Sequence, residues 1–191
     1  MIREFVRGGG AYVGICAGAY FGASFCEFER GTKLEDCGPR DLALFSGTAV
    51  GSAFGFSYRS TRYARAAGIE VVPHAVEEAG LERSVLKTYV NGGCYFDGAQ
   101  EREVLARYTG DPGGKADGRP MVVAGSLGFG RWVLTGAHLE YEPALLTRTV
   151  HHDRLRPELL ETDRDRRSFM AFLLARALGG DRSGAGGRAR L

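Results

Sequence analysis

Two short stretches carry residue types that do chemistry in combination. The first is Gly14-Ile15-Cys16-Ala17-Gly18, which follows the apolar run Ala11-Tyr12-Val13. A cysteine with glycine two residues to either side predicts a strand, a sharp turn and a helix, with no room for side chains beside the turn. That is the geometry of a nucleophile elbow: the reactive atom projects from a strained turn at the carboxyl edge of a sheet, and Gly14 and Gly18 leave space beneath it. A helix opening at Ala17 directs backbone N–H groups and the positive end of its dipole at the sulfur, which favours thiolate over thiol. The same pattern also suits an inert cysteine at a close helix–strand contact.

The second stretch is Gly130-Arg131-Trp132-Val133-Leu134-Thr135-Gly136-Ala137-His138-Leu139-Glu140. Arg131 to Thr135 predicts a strand, and beyond its glycine stand a histidine and a glutamate two apart. In extended chain, residues i and i+2 point to the same side. The carboxylate of Glu140 then fixes the tautomer of His138, whose other ring nitrogen is free to face a thiol. This is the logic of a nucleophile, a base and a residue that orients the base. An ordinary surface histidine at a strand end is the alternative reading of His138.

The elbow followed far downstream by His-x-Glu resembles the class I glutamine amidotransferase fold, whose triad runs cysteine, histidine, glutamate. More narrowly, Ile2-Arg3-Glu4-Phe5-Val6 with Gly8-Gly9-Gly10, Gly14 to Tyr20, and Gly38-Pro39-Arg40-Asp41-Leu42 with Phe45-Ser46-Gly47 are similar to one family. So are Tyr89-Val90-Asn91-Gly92-Gly93 and Gly136 to Glu140. That family is the amidotransferase-like domain at the amino end of biotin-protein ligases. The resemblance runs from Ile2 to about Leu178 and implies Cys16 as nucleophile, His138 as base and Glu140 as orienter. It also implies a flavodoxin-like, three-layer α/β fold with a mostly parallel sheet and an antiparallel portion.

Two departures stand out. Leu139 occupies the place between histidine and glutamate where glutamine amidotransferases usually have proline. Such domains also begin with strand–helix units and a glycine-rich loop that supplies one oxyanion-hole amide, and the resemblance implies that residues 1–180 lack them. The Ala17 amide is the remaining oxyanion donor, and loss of one donor costs on the order of 100- to 1000-fold in rate. Two functions follow. One is a cysteine-dependent amidase acting through a thioester on a small amide; the other is a non-catalytic module that docks on or regulates a biotin-protein ligase or synthetase.

A chain of 191 residues, 44 % hydrophobic, is sized for one well-buried core. Removing Arg182, Arg188, Arg190 and Asp181 of the tail from 25 basic and 23 acidic residues leaves 22 of each. A neutral body argues against a nucleic-acid partner. Cys16, Cys26, Cys37 and Cys94 lack paired metal spacing and are expected to be reduced thiols of a cytoplasmic protein. No cofactor or metal is expected; in His151-His152-Asp153, adjacent side chains point apart. No apolar run reaches the ~18 residues of a membrane span. Glu4 and three glycines interrupt what otherwise resembles a signal sequence.

Helices are expected over 2–7 and 163–178, with helix-forming content at 61–67. Strands are expected over 11–15, 25–28, 42–45, 54–58, 85–90, 94–96, 104–108, 121–125 and 131–135. Residues 69–76 read as an edge strand because of Pro73. Residues 31–39 and 111–120 read as loops, and Asn91-Gly92-Gly93 as a hairpin turn with Asn91 left-handed. Asn91 is also a candidate substrate ligand. Arg40 is expected in a surface ion pair with Asp41 or Glu35, and residues 181–191 in a disordered tail.

Overall fold

The computed structural model describes residues 1–55, 60–146 and 148–180. The expected tail at 181–191 and the end of the strand expected at 54–58 lie outside them. Helix α1 (Ile2–Arg7) ends at Gly8 and leads through two more glycines into β1 (Ala11–Ile15), then α2 (Ala17–Gly22) and β2 (Ala23–Phe28). Strands β3 (Asp36–Pro39), β4 (Phe45–Gly51) and β5 (Arg65–Val71) follow, then α3 (Pro73–Ala79), β6 (Val85–Val90), β7 (Cys94–Asp97) and β8 (Val104–Thr109). The chain closes with β9 (Pro120–Leu127), β10 (Gly130–Thr135), α4 (Val150–Leu160) and α5 (Asp163–Leu178).

The result is a mixed α/β fold with two sheets. One has six strands in the order β1-β10-β9-β8-β5-β6, the other four in the order β3-β2-β4-β7. A mostly parallel sheet was expected, and the pairing corrects this. Among the described strands only β1 with β10 and β2 with β4 run parallel; every other pair is antiparallel. The physical reason lies in the connections. Parallel neighbours need long crossovers, but most strands here are joined by short turns or by a single short helix, which return the chain antiparallel.

Local expectations fail for equally definite reasons. Pro73 does not interrupt a strand; it opens α3 at the first helical position, where its missing N–H is no loss. Strand β5 is consequently interior, between β6 and β8. Asn91-Gly92-Gly93 is not a hairpin turn, since β6 pairs with β5 and β7 with β4. Gly92, at φ 81°, takes the left-handed conformation expected of Asn91. Residues 61–63 form one 3-10 turn before β5 rather than a longer helix. The strand expected at 42–45 begins at Phe45, and β3 occupies part of the expected loop. Arg40 pairs with Asp36 at 2.7 Å rather than with Asp41 or Glu35.

Side chains of β10 alternate between two cores. Val133 packs with Phe169 and Leu173 of α5, while Trp132 and Leu134 pack with Ala19, Phe45 and Phe96. The two sheets meet closely where β10 ends. Cys94 N–H donates to the Gly136 carbonyl at 3.1 Å, and Tyr108 Oη–H donates to the Cys94 carbonyl at 3.0 Å. A Cβ on Gly136 falls 1.8 Å from the Cys94 oxygen, and one on Gly93 falls 2.0 Å from the Gly136 oxygen. These neighbours are backbone and have no rotamer to relax into. Gly93→Ala and Gly136→Ala are each expected to lower the unfolding free energy by at least the ~1–3 kcal/mol of ordinary overpacking. Urea titration with an unchanged m-value in the wild type as reference measures it.

Candidate active site

The parallel register of β1 and β10 sets Ile15 opposite Thr135. Cys16 is the next residue after β1, and His138 follows β10 by three, so both emerge at one edge of the six-stranded sheet. The Cys16 N–H donates to the Thr135 carbonyl at 2.9 Å, extending the pairing by one bond. Cys16 then adopts φ 49°, ψ −104° as the N-cap of α2. A non-glycine residue in this region is strained and persists only where its surroundings hold it. The holding bonds are visible: Ala19 and Tyr20 N–H donate to the Cys16 carbonyl at 3.0 and 3.2 Å, and Tyr12 Oη–H donates to the Gly18 carbonyl at 2.9 Å.

The two elbow glycines differ. A Cβ at Gly14 falls 2.6 Å from the Gly18 oxygen and 2.8 Å from the Tyr12 ring, so only glycine fits. At Gly18 the nearest atom is Tyr12 Oη at 3.6 Å, an ordinary contact. The Ala17 amide lies in the first turn of α2, where no intrahelical acceptor reaches it.

His138 is joined to Tyr89 by an isolated β-bridge, its N–H donating to the Tyr89 carbonyl at 2.9 Å. Its Nδ1 lies 2.7 Å from Glu140 Oε1, and the Cys16 sulfur is close enough to the ring to favour its charged form. The structure thus brings together Cys16, His138 and Glu140. Burial of the ring opposes its charge, but the Cys16 and Glu140 contacts outweigh it and raise the His138 pKa to about 9. The ring is mostly shielded, with 17 % of its side-chain surface exposed. Tyr141 lies over it at 4.4 Å between centroids and 30° between planes, and Tyr89 meets it at 5.9 Å. An aromatic face against an imidazolium adds attraction to the charged form.

Several further residues build this wall. Tyr89 Oη and His152 Nε2 are 3.2 Å apart, and the Tyr89 ring also stacks near Tyr141. Asn91, considered above as a substrate ligand, lies beside the Tyr89 side chain. His152 belongs to the His-His-Asp run, and among the described residues no group of three or more His, Cys, Asp or Glu is arranged to hold a metal. Tyr20, beneath the elbow, donates toward the Gly92 and Gly93 carbonyls at 3.1 and 3.2 Å, and burial drives its pKa upward, with Cys94 and Cys16 adding to the effect. Four cysteines are free.

The fold is thus a mixed α/β domain that sets a strained cysteine near a histidine–glutamate pair. The sequence relationship is narrower: the profile described as "Biotin-protein ligase, N terminal" matches residues 1–179, and the chain belongs to that family. It is 38 % identical over 147 residues to an uncharacterized protein of Chlamydia muridarum, covering 74 % of this chain and 52 % of that one. It is 37 % identical over 147 residues to the biotin–protein ligase of Schizosaccharomyces pombe, covering 73 % of this chain and 22 % of the ligase. The chain therefore spans about half the length of the first relative and about a fifth of the second. A solved ThuA-like protein from Parabacteroides merdae is 14 % identical with a TM-score of 0.40, covering 96 % of this chain and 66 % of that one, too distant for any argument. No helix among the described residues is long and apolar enough to cross a membrane.

The glycine geometry separates two substitutions that look equivalent. Gly14→Ala is expected to cost about 1–3 kcal/mol, whereas Gly18→Ala, inside a helix and unobstructed, is expected to be neutral or to stabilise by about 0.4–1 kcal/mol. Thermal unfolding of both variants distinguishes them. For His138 the pKa is raised on folding, so its imidazolium contributes stability in full below the unfolded value of 6.5, and this is lost as pH rises through about 9. The stability difference between wild type and His138→Ala is therefore expected to shrink between pH 6.5 and 9, followed by urea midpoints across that range.

Proposed function

We propose that the domain is a cysteine-dependent amide hydrolase of class I glutamine amidotransferase type. The observation that carries this reading is the Cys16 elbow, a cysteine at positive φ at a helix start with the hydrogen-bonded His138–Glu140 pair beside it. In this reading the Cys16 sulfur attacks the carbonyl carbon of a small amide, and the Ala17 amide donates to the resulting oxyanion. His138 gives its proton to the departing nitrogen, the C–N bond breaks, and ammonia leaves a thioester on Cys16. His138 then takes a proton from water as it attacks, the C–S bond breaks, and a carboxylic acid and the restored Cys16–His138 pair remain. Glu140 holds the imidazole orientation throughout.

A second reading is favoured by the fission yeast relative, a biotin–protein ligase of which this chain matches only 22 %. In it the elbow is scaffold, and the domain docks on or regulates a biotin-protein ligase. Both readings place the protein in the cytoplasm, with no nucleic-acid or membrane partner.

Iodoacetamide labelling of Cys16, read by peptide mass spectrometry at neutral pH, separates them. The hydrolase reading expects fast labelling that falls about tenfold or more in His138→Ala, because the adjacent base that activates the sulfur is gone. It also expects ammonia release from primary amides to disappear in Cys16→Ala. Labelling that is slow and indifferent to His138 overturns it. A change in turnover of a biotin-protein ligase on adding the Cys16→Ala domain supports the docking reading instead.

A further inference from the structure

The peptide between His138 and Glu140 is held from behind by a group outside the triad. Arg166 of α5 donates through Nη1 to the Leu139 carbonyl. The guanidinium is in turn fixed by Asp163, one turn earlier, whose Oδ1 accepts from Arg166 Nε at 3.0 Å and from Nη2 at 2.5 Å. The other Asp163 oxygen lies 3.1 Å from Arg167 Nε. Arg166 is 2 % exposed and Asp163 8 %, which sets this pair apart from the surface ion pairs elsewhere in the fold.

Such a pair is a poor way to gain stability. Removing two charges from water costs about as much as their attraction returns, and apolar residues of similar volume commonly do as well or better. What the pair does supply is geometry: a planar fork aimed at one carbonyl. The first turn of α5 is itself fastened where it must be. Thr162 Oγ1 accepts from Lys87 N–H of β6 at 2.7 Å, and Asp165 Oδ1 accepts from Glu82 N–H at 3.0 Å. Strand β6 also supplies the Tyr89 carbonyl that accepts from His138 N–H. The His138–Glu140 segment is thus gripped on one side by β6 and on the other by α5, and the two are tied to each other.

We propose that Arg166, oriented by Asp163, is a positioning residue that sets the His138–Glu140 hydrogen bond and, through it, the approach of the imidazole to Cys16. The proposal rests on the hydrolase reading for its purpose, but the positioning is measurable without it. Removing one partner strands the other as a buried charge and risks unfolding, so the variant of choice replaces both, Asp163→Leu with Arg166→Met. Circular dichroism and the melting temperature report whether it is folded; Arg166→Lys, keeping charge but not the fork, is the companion.

The proton resonance of His138 Nδ1–H, assigned by its loss in His138→Ala, is the direct readout. Its disappearance or shift in the folded double variant, with iodoacetamide labelling of Cys16 slowed about tenfold, as misplacement of a catalytic group by a fraction of an ångström would do, supports the proposal. In that variant, adding His138→Ala is expected to slow labelling little further, because the coupling is already broken. An unmoved resonance in a folded double variant overturns the positioning role whatever the reactivity. Labelling of the wild type that ignores His138→Ala, by contrast, overturns the hydrolase reading and leaves the resonance to decide the positioning role alone.

Discussion

The parallel pairing of β1 with β10 is the constraint on which the rest of this site depends. Two strands running the same way deliver their carboxyl ends to one edge, and here those ends carry Cys16 and His138. Were the pair antiparallel, Cys16 and His138 would stand a full strand apart, about 16 Å for five residues. Strand β10 is itself antiparallel to β9, so the hairpin that leads to His138 can be built from local chain, while the strand that leads to Cys16 joins from far away in sequence. The same edge is where backbone approaches backbone most closely, at Gly136 and Cys94, and this closeness sets the path the chain takes from β10 to His138.

Electrostatics is concentrated in two places and diffuse elsewhere. Around Cys16 a charged imidazole is favoured by sulfur, carboxylate and ring faces against the cost of burial. Behind it, Asp163 and Arg166 form a buried pair whose free donor is spent on a backbone carbonyl. The remaining ion pairs, such as Arg7 with Glu4 or Arg164 with Glu82, are largely exposed and add little to stability. Charge in this protein therefore serves arrangement more than cohesion, and cohesion comes from the apolar faces of the six-stranded sheet.

How much of this was legible in the residues follows from the range of each interaction. The elbow and the His-x-Glu pair are local patterns, and the residues they name do come together. Strands β9 and β10, expected over 121–125 and 131–135, were legible because each is a contiguous run of strand-forming residues. The sheet was not, because strand direction is decided by which distant strand wins each edge, and no local pattern records that. Pro73 shows the limit well: proline excludes a strand interior and suits a helix start equally, and only the surrounding fold selects between them. Asn91-Gly92-Gly93 similarly has turn chemistry that is used for a turn, but one that carries the chain from one sheet to the other. Tyr141 and Arg166 lie in no motif, and the stretches that hold Tyr89 and His152 assign them no place at this wall; Tyr141 follows His138 in the chain, while β6, α4 and α5 bring Tyr89, His152 and Arg166 from three separate parts of it.

The long separation between β1 and its only described partner strand has a temporal consequence. Synthesis runs from the amino end, so the cysteine strand leaves the ribosome well before β10 exists to receive it. Pairings this distant form late and slowly. During that interval the sulfur has neither its strained turn nor its imidazole, because both depend on the β1–β10 register. The positive-φ turn at Cys16 and the imidazole beside it are in this way late products of folding, and a chain released before residue 138 presents Cys16 with neither.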